Sequence, residues 1–366
     1  MDPPNSTEEA RIQSRTFTNW LNQQIVDIGE IIDLPLDLSD GVLLIFIVEK
    51  LQGKRCMGKV YAEKPSELQK LMNVQMALDA LREDGLRMTN IGAHDIVEGN
   101  ERVLRNLVWT LIQRYHIDSR SKIPPKKLIM AWIQSILPDL TITNFRTHWN
   151  DGRALAALLE YCQPGLCPEW KGMRHDNGYE NCDRLMDLAE RFLGIPRVIF
   201  SEDMSSPHLD ELSCLTYLAY FVRRGGAGYK ATMARVHELL GDDRIRDFSS
   251  SWSDGFLLNL IVEALGGQTE MQTDTMRFDS RSDWLANVRA ALSAAEQLGV
   301  RSLVSVDDIV DGRNDHLGVM SLVAALCSVN GNSAFPITHC YQHQQVNLDL
   351  AFEQGAEVRV EDLTVE

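Results

Sequence analysis

The chain has 366 residues, 44% of them apolar, and a formal net charge of −16 at pH 7. No apolar run reaches the ~18 residues of a membrane-spanning helix, and no global basic field exists to hold nucleic acid. The polar start Met1-Asp2-Pro3-Pro4-Asn5-Ser6-Thr7-Glu8-Glu9 lacks the basic and apolar regions of a secretory signal, so a cytoplasmic location and reduced thiols are expected.

Residues 1–13 read as a disordered acidic tail. After it Phe17, Trp20, Leu21, Ile25 and Ile28 fall at spacings of three and four, the buried face of a helix. Asn19, Asn22, Gln23 and Val26 are left outward. Ser39-Asp40-Gly41-Val42-Leu43-Leu44 then opens a run, Val42 to Val48, that is apolar all round and so predicts a helix buried on every side. Ser39 can cap it, and Asp40 places negative charge at its positive end. This phrase recurs as Asn150-Asp151-Gly152-Arg153-Ala154-Leu155 and again as Ser253-Asp254-Gly255-Phe256-Leu257-Leu258. The chain is therefore three copies of a unit of about 100 residues, the common size of a domain.

The register holds beyond that phrase. Asn73, Asn181 and Asn287 each open a helical stretch. Asp95, Asp203 and Asp308 follow at nearly constant spacing, and Trp109, Tyr217 and Leu322 come at one fixed interval after those. In copy one Val103, Leu104, Leu107, Val108, Leu111 and Ile112 make a core stripe. A helical wheel puts Arg102, Arg105, Trp109, Gln113 and His116 on the opposite face. An exposed indole there needs a cover, which the second copy or a binding partner can supply. The stretch from Glu101 to Lys127 is basic: Arg102, Arg105, Arg114, Arg120, Lys122, Lys126 and Lys127 stand against Glu101 and Asp118. On residues alone, a binding patch and a solvated helix face are equally good readings of it.

Copy one spans 14–118, and a polar linker, 119–125, ends in Pro124-Pro125. Copy two spans 126–224. Gly225-Gly226-Ala227-Gly228 reads as a flexible Gly-rich linker over 225–229, leaving copy three, 230–330, free to move. Ile133, Ile136, Leu137, Ile142, Phe145 and Trp149 align without a gap on Val236, Leu239, Leu240, Ile245, Phe248 and Trp252. One departure stands out: Arg235 occupies the place of Trp20 and Trp132. In 331–366, Val346, Leu348, Leu350 and Phe352 alternate with polar or small residues before a Gln354-Gly355 turn, the pattern of a β-hairpin. The fold class predicted is all-α, three helical bundles in tandem with a short tail of β-hairpin character.

Chemistry is sparse. Asp40, Asp151 and Asp254 recur beside glycine, but no His, Lys or second carboxylate recurs with them, so capping explains them better than catalysis. Gly225-Gly226-Ala227-Gly228 has no preceding strand and no Gly-Lys-Ser/Thr ending of a phosphate loop. Asp311-Gly312-Arg313-Asn314-Asp315 lacks the ligands of a calcium loop. Cys162, Cys167, His175 and Cys182 contain no C-x-x-C pair. No enzyme activity, cofactor or metal is expected.

Phe17-Thr18-Asn19-Trp20, the Asp-Gly-x-x-Leu step and Glu98-Gly99-Asn100 leading to Leu107-Val108-Trp109-Thr110-Leu111-Ile112 resemble a type 1 calponin-homology domain. Lys127-Leu128 through Trp132-Ile133-Gln134, Ile142-Thr143-Asn144-Phe145, Trp149-Asn150-Asp151-Gly152 and Pro164-Gly165-Leu166-Cys167-Pro168-Glu169-Trp170 resemble the type 2 partner. The order is similar to the tandem actin-binding region of filamins over roughly residues 14–224, with a more distant third copy, as in filamin-type proteins with three such domains. The tail then resembles the start of a filamin immunoglobulin-like repeat. The resemblance implies actin-filament binding, with contacts at Asn19, Asn22 and Gln23 of the first helix, at Arg102, Arg105, Trp109, Gln113 and His116 of the last helix of copy one, and at Lys126 and Lys127. Copy three carries nine basic against fifteen acidic residues between Gly228 and Gly331, so an acidic filament should repel it. A regulatory or docking role with an unidentified protein partner is expected instead. Bundling of filaments would need self-association or a longer product. The rival reading is a calponin-homology signalling scaffold or microtubule-binding adaptor.

Overall fold

In the computed structural model, residues 4–117, 123–270, 272–312 and 316–329 are described. Bundle one holds α1 (Pro4–Gln24), α2 (Leu34–Leu38), α3 (Val42–Gln52), α4 (Glu67–Glu83), α5 (Ala93–Val97) and α6 (Glu101–Leu111), the last running into a π-helical turn, Ile112–His116. Bundle two holds α7 (Pro125–Ile136), α8 (Arg153–Cys162), α9 (Gly178–Leu193), α10 (Ser201–Met204) and α11 (Glu211–Val222). Bundle three holds α12 (Ala227–Leu240), α13 (Phe256–Ala264), α14 (Arg281–Gln297), α15 (Val306–Val310) and α16 (His316–Cys327). Helix is the only regular structure among the described residues, with no strand. The expected hairpin and immunoglobulin-like start lie outside the described residues.

The recurring phrase is a local device repeated three times. Asp40, Asp151 and Asp254 each accept from the backbone N–H two residues on, at 2.8, 2.9 and 2.9 Å, which satisfies a donor at the start of α3, α8 and α13. The glycines that follow have φ of +76°, +81° and +79°, conformations a side chain resists. The side-chain amide of Asn73 then donates to the carbonyls of Asp40 and Tyr61, both at 2.9 Å. Asn181 does the same for Asp151 and Arg174, and Asn287 for Asp254 and Arg277. A buried or half-buried asparagine thus ties the long loop after the central helix to that helix's start. The capping expected of Ser39 is not what its side chain does, nor does Asn150 cap in the second copy. Ser39 donates back to Leu36, and Asn150 donates to Met204 and Ser206.

The predicted cores form. Phe17, Trp20, Leu21 and Ile25 are buried, as are Trp132, Trp149 and Trp252. Phe145 stacks on Trp149 at 6.3 Å, and Phe248 on Trp252 at 6.4 Å, in the same arrangement. Ile28 departs from expectation and is 45% exposed, because α1 ends at Gln24 and a turn carries the next residues off the helical face. Phe46 also reaches solvent, so the apolar run of α3 is not buried on every side.

Two expected boundaries change. Residues 4–13 are helix, part of α1, and they are docked: Arg146 of bundle two pairs with Glu9 at 2.6 Å. The stretch 225–229 is no free linker. α12 begins at Ala227, and a Cβ on Gly228 would lie 2.5 Å from the Trp132 ring, while one on Gly226 would lie 2.5 Å from the Tyr220 carbonyl. These glycines serve close packing, so bundle three sits against bundle two. The packing follows one rule: the first helix of a bundle lies on the last helix of the next, α1 on α11 and α7 on α16.

Candidate functional site

The expected contact residues sit on α6, α1 and the start of α7. Asn100 caps α6, accepting from Val103 N–H, and Val103, Leu104, Leu107, Val108 and Leu111 are buried. The opposite face carries Arg102, exposed, with Arg105 and Trp109 half-buried. Arg105 is held by Glu101 at 3.0 Å and by Ser14 of α1 at 3.2 Å. Trp109 stacks on Phe17 at 6.3 Å with the rings 8° from parallel. The cover for its indole is α1 of its own bundle, where a cover from bundle two or a partner was expected.

His116 does not lie on that face. The π-helical turn ends in an i to i+5 bond from Ile117 N–H to Ile112 carbonyl, and each residue of such a turn advances by less than an α-helical residue does. His116 is thereby swung inward and is 8% exposed. It packs on Tyr220 of bundle two at 4.2 Å and edge-on to Trp20 at 6.0 Å. Burial, helped by the nearby Arg223 cation, lowers its pKa to about 3, so it is neutral at pH 7. Gln113 is half-buried in the same turn.

The outward face of α1 meets bundle two. Asn19 donates to the Val198 carbonyl at 3.0 Å. Arg15 donates to Asp203 at 2.8 Å and lies 4.5 Å over the Phe200 ring, and Arg11 reaches Asp203 at 3.6 Å. Asp203 is 2% exposed, a buried carboxylate matched by two guanidinium groups from the other bundle. Asn22 is a loop clamp, exchanging two hydrogen bonds with the Ile31 backbone at 2.8 and 3.0 Å. Gln23 is exposed. At the start of α7, Lys126 is bound to Glu211 at 2.8 Å, and Lys127 is exposed. Of the residues expected, Arg102, Gln23 and Lys127 are freely presented, while Asn19, Asn22 and His116 have structural work.

Sequence reading missed the joint made by Glu9, Arg11, Arg15, Arg146 and Asp203. The signal was present in the polar stripe Arg11, Arg15, Asn19, Asn22, four and three residues apart on one side of α1. It also missed the exposed aliphatic residues Ile32 and Leu36, 86% and 70% exposed, whereas Val26, read as outward, is 73% exposed. α2 packs on α6, and Ile32, Pro35 and Glu101 line one groove of about 750 Å³. Ile32 thus shares that groove with Glu101 at the start of α6.

The repeated aspartate shows no catalytic arrangement in bundle two, where it does meet a histidine. His175 Nδ1 lies 2.6 Å from Asp151, and its Nε2 lies 2.9 Å from Arg153. Arg153 can only donate, so Nε2 accepts and Nδ1 carries the proton to Asp151. Both ring nitrogens are engaged, leaving none to take a proton from a substrate. Among the described residues, no group of three or more His, Cys, Asp or Glu side chains is placed to hold a metal ion. No helix among them is long and apolar enough to cross a membrane.

Three helical bundles, each built on the same Asp-Gly turn and asparagine tie, define a calponin homology protein. The calponin homology (CH) domain profile matches residues 11–117, 123–227 and 234–332, and the chain belongs to that family. Within it the likeness is to filamins and spectrins. Filamin-C of Rattus norvegicus is 38% identical over 222 residues, 58% of this chain and 8% of its own length. Filamin-A of Drosophila melanogaster is 37% identical over 225 residues, 58% of this chain and 10% of its own. The human spectrin beta chain, non-erythrocytic 4, is 34% identical over 226 residues, 58% of this chain and 9% of its own. The matched region is thus about a tenth of the length of these relatives. Among solved structures, the actin-crosslinking core of Schizosaccharomyces pombe fimbrin is similar over 85% of this chain and 74% of its own, at 18% identity and a TM-score of 0.46.

Proposed function

We propose that the chain is a non-enzymatic actin-filament-binding protein of the cytoplasmic cytoskeleton, and that bundle one makes the principal contact. The observation that carries this reading is the filamin likeness over 222 residues, the length of two bundles, together with an α6 face that presents an exposed Arg102. Actin filaments are acidic, so exposed Arg102 and Lys127 steer the encounter and fix its register. Val26, Ile32 and Leu36 supply the apolar area that a stable contact must bury. Bundle two supports bundle one through the Asp203 joint. One such face per chain lets it decorate filaments, and cross-linking would need self-association or a longer product.

Co-sedimentation of the full chain with actin filaments, run beside microtubules at two salt concentrations, tests the proposal. It predicts pelleting with actin that weakens as salt rises and no comparable pelleting with microtubules. Equal or greater pelleting with microtubules would favour the adaptor reading and overturn this one.

A further inference from the structure

Bundle three departs from the repeat where it touches bundle two. In the gap-free register of copies two and three, Thr232 stands at the position of Ile129, and Arg235 at that of Trp132. Ile129 and Trp132 are fully buried core residues of their bundle. In bundle three both places are polar, and both side chains are turned out of their own core into bundle two. Thr232 Oγ1 donates to the Gly228 carbonyl at 2.8 Å. With its single proton spent, it accepts from Trp132 Nε1 at 3.1 Å and from Tyr161 Oη at 2.9 Å. The Arg235 guanidinium lies 4.1 Å from the centre of the Tyr161 ring. Tyr161 is itself a departure, since the matching place after the Asp-Gly step holds Lys50 in copy one and Ala264 in copy three.

The contact is broad. α12 packs on α8 and α11, and α7 packs on α16. Gly228 lets the α12 backbone approach the Trp132 ring. His316, buried at the start of α16, lies 2.7 Å from the Val222 carbonyl, and Ser328 donates to the Ser135 carbonyl at 2.6 Å. If bundle three left, the indole N–H of Trp132 and the phenol of Tyr161 would exchange these bonds for water and their ring faces would be uncovered.

We infer that bundle three is an intramolecular clamp that completes bundle two, so that the two open and unfold as one unit. The movable joint of the described chain is then the one between bundles one and two. This assigns the third bundle a function independent of any filament contact of its own, and it does not depend on the filament reading above.

Native-state hydrogen exchange of the full chain across a denaturant series tests the inference. Amides of α9 and α14, neither of which is a main packing helix of the contact, should share one opening free energy and one denaturant dependence. Arg235→Ala should raise exchange at both by the same factor, about 5- to 30-fold, and leave α4 of bundle one unchanged. Different opening free energies for α9 and α14 in the unaltered chain would overturn it, whether or not the variant folds. So would an Arg235→Ala effect confined to α12 and α16.

Discussion

A methyl group at Gly41 would meet Val74 N at 2.6 Å and Asn73 Cβ at 2.7 Å, on a backbone already at φ +76°. Gly41→Ala should therefore cost bundle one about 2–4 kcal/mol, the positive φ contributing part and the clash the rest. Asn73→Ala leaves the Asp40 and Tyr61 carbonyls without their donor and should cost about 2–3 kcal/mol. Urea denaturation followed on bundle one checks both. A loss within the range of about 0.5 kcal/mol seen for ordinary surface substitutions would leave the asparagine tie without structural weight. His116 adds a pH dependence. Buried, it stays neutral down to a pKa of about 3, whereas exposed it takes a proton below about 6.5. The open state then binds more protons between these values, so closure is fully supported above about pH 6.5 and weakens as pH falls. From pH 7 to 5 the closed arrangement should lose roughly 2 kcal/mol. His116→Phe should flatten that dependence, measured as the distance between labels on bundles one and two against pH.

At the scale of elements, α1 is a helix with two loyalties: Phe17 and Trp20 face its own core, and Arg15 and Asn19 face bundle two. Arg15→Ala leaves Asp203 buried with one distant guanidinium. Because Arg15 is itself 35% exposed, the loss is discounted to about 1–3 kcal/mol of closure. The variant should expand in small-angle scattering with its helicity intact, and unchanged dimensions would deny the joint its role. On α6, Arg102→Glu should weaken filament pelleting several-fold and reduce its salt dependence, while binding unchanged at low salt would exclude that face. Helix existence and core faces were legible because apolar periodicity reports burial directly. The fate of the polar faces was not. His116 escaped because a π-helical turn breaks the regular helical wheel, and Asn19 because a wet face and an interdomain face have the same composition. Arg235 was visible as a departure, but the tyrosine it reaches belongs to the preceding copy of the repeat, beyond any local pattern.

For the whole molecule, the Gly-rich stretch that read as a hinge is a place of close backbone packing, and the charged, histidine-bearing contact between bundles one and two is the looser joint. The three bundles are thus a clamped pair joined to a leading bundle that carries the proposed contact. Electron cryomicroscopy of actin filaments decorated with the full chain tests this arrangement most directly. Bundle one is expected on the filament, with the Arg102 face of α6 and the aliphatic patch at Ile32 and Leu36 against actin, and bundle three is expected away from it, held on bundle two. Filaments contacted through bundle three, or left bare by folded protein at low salt, would contradict it.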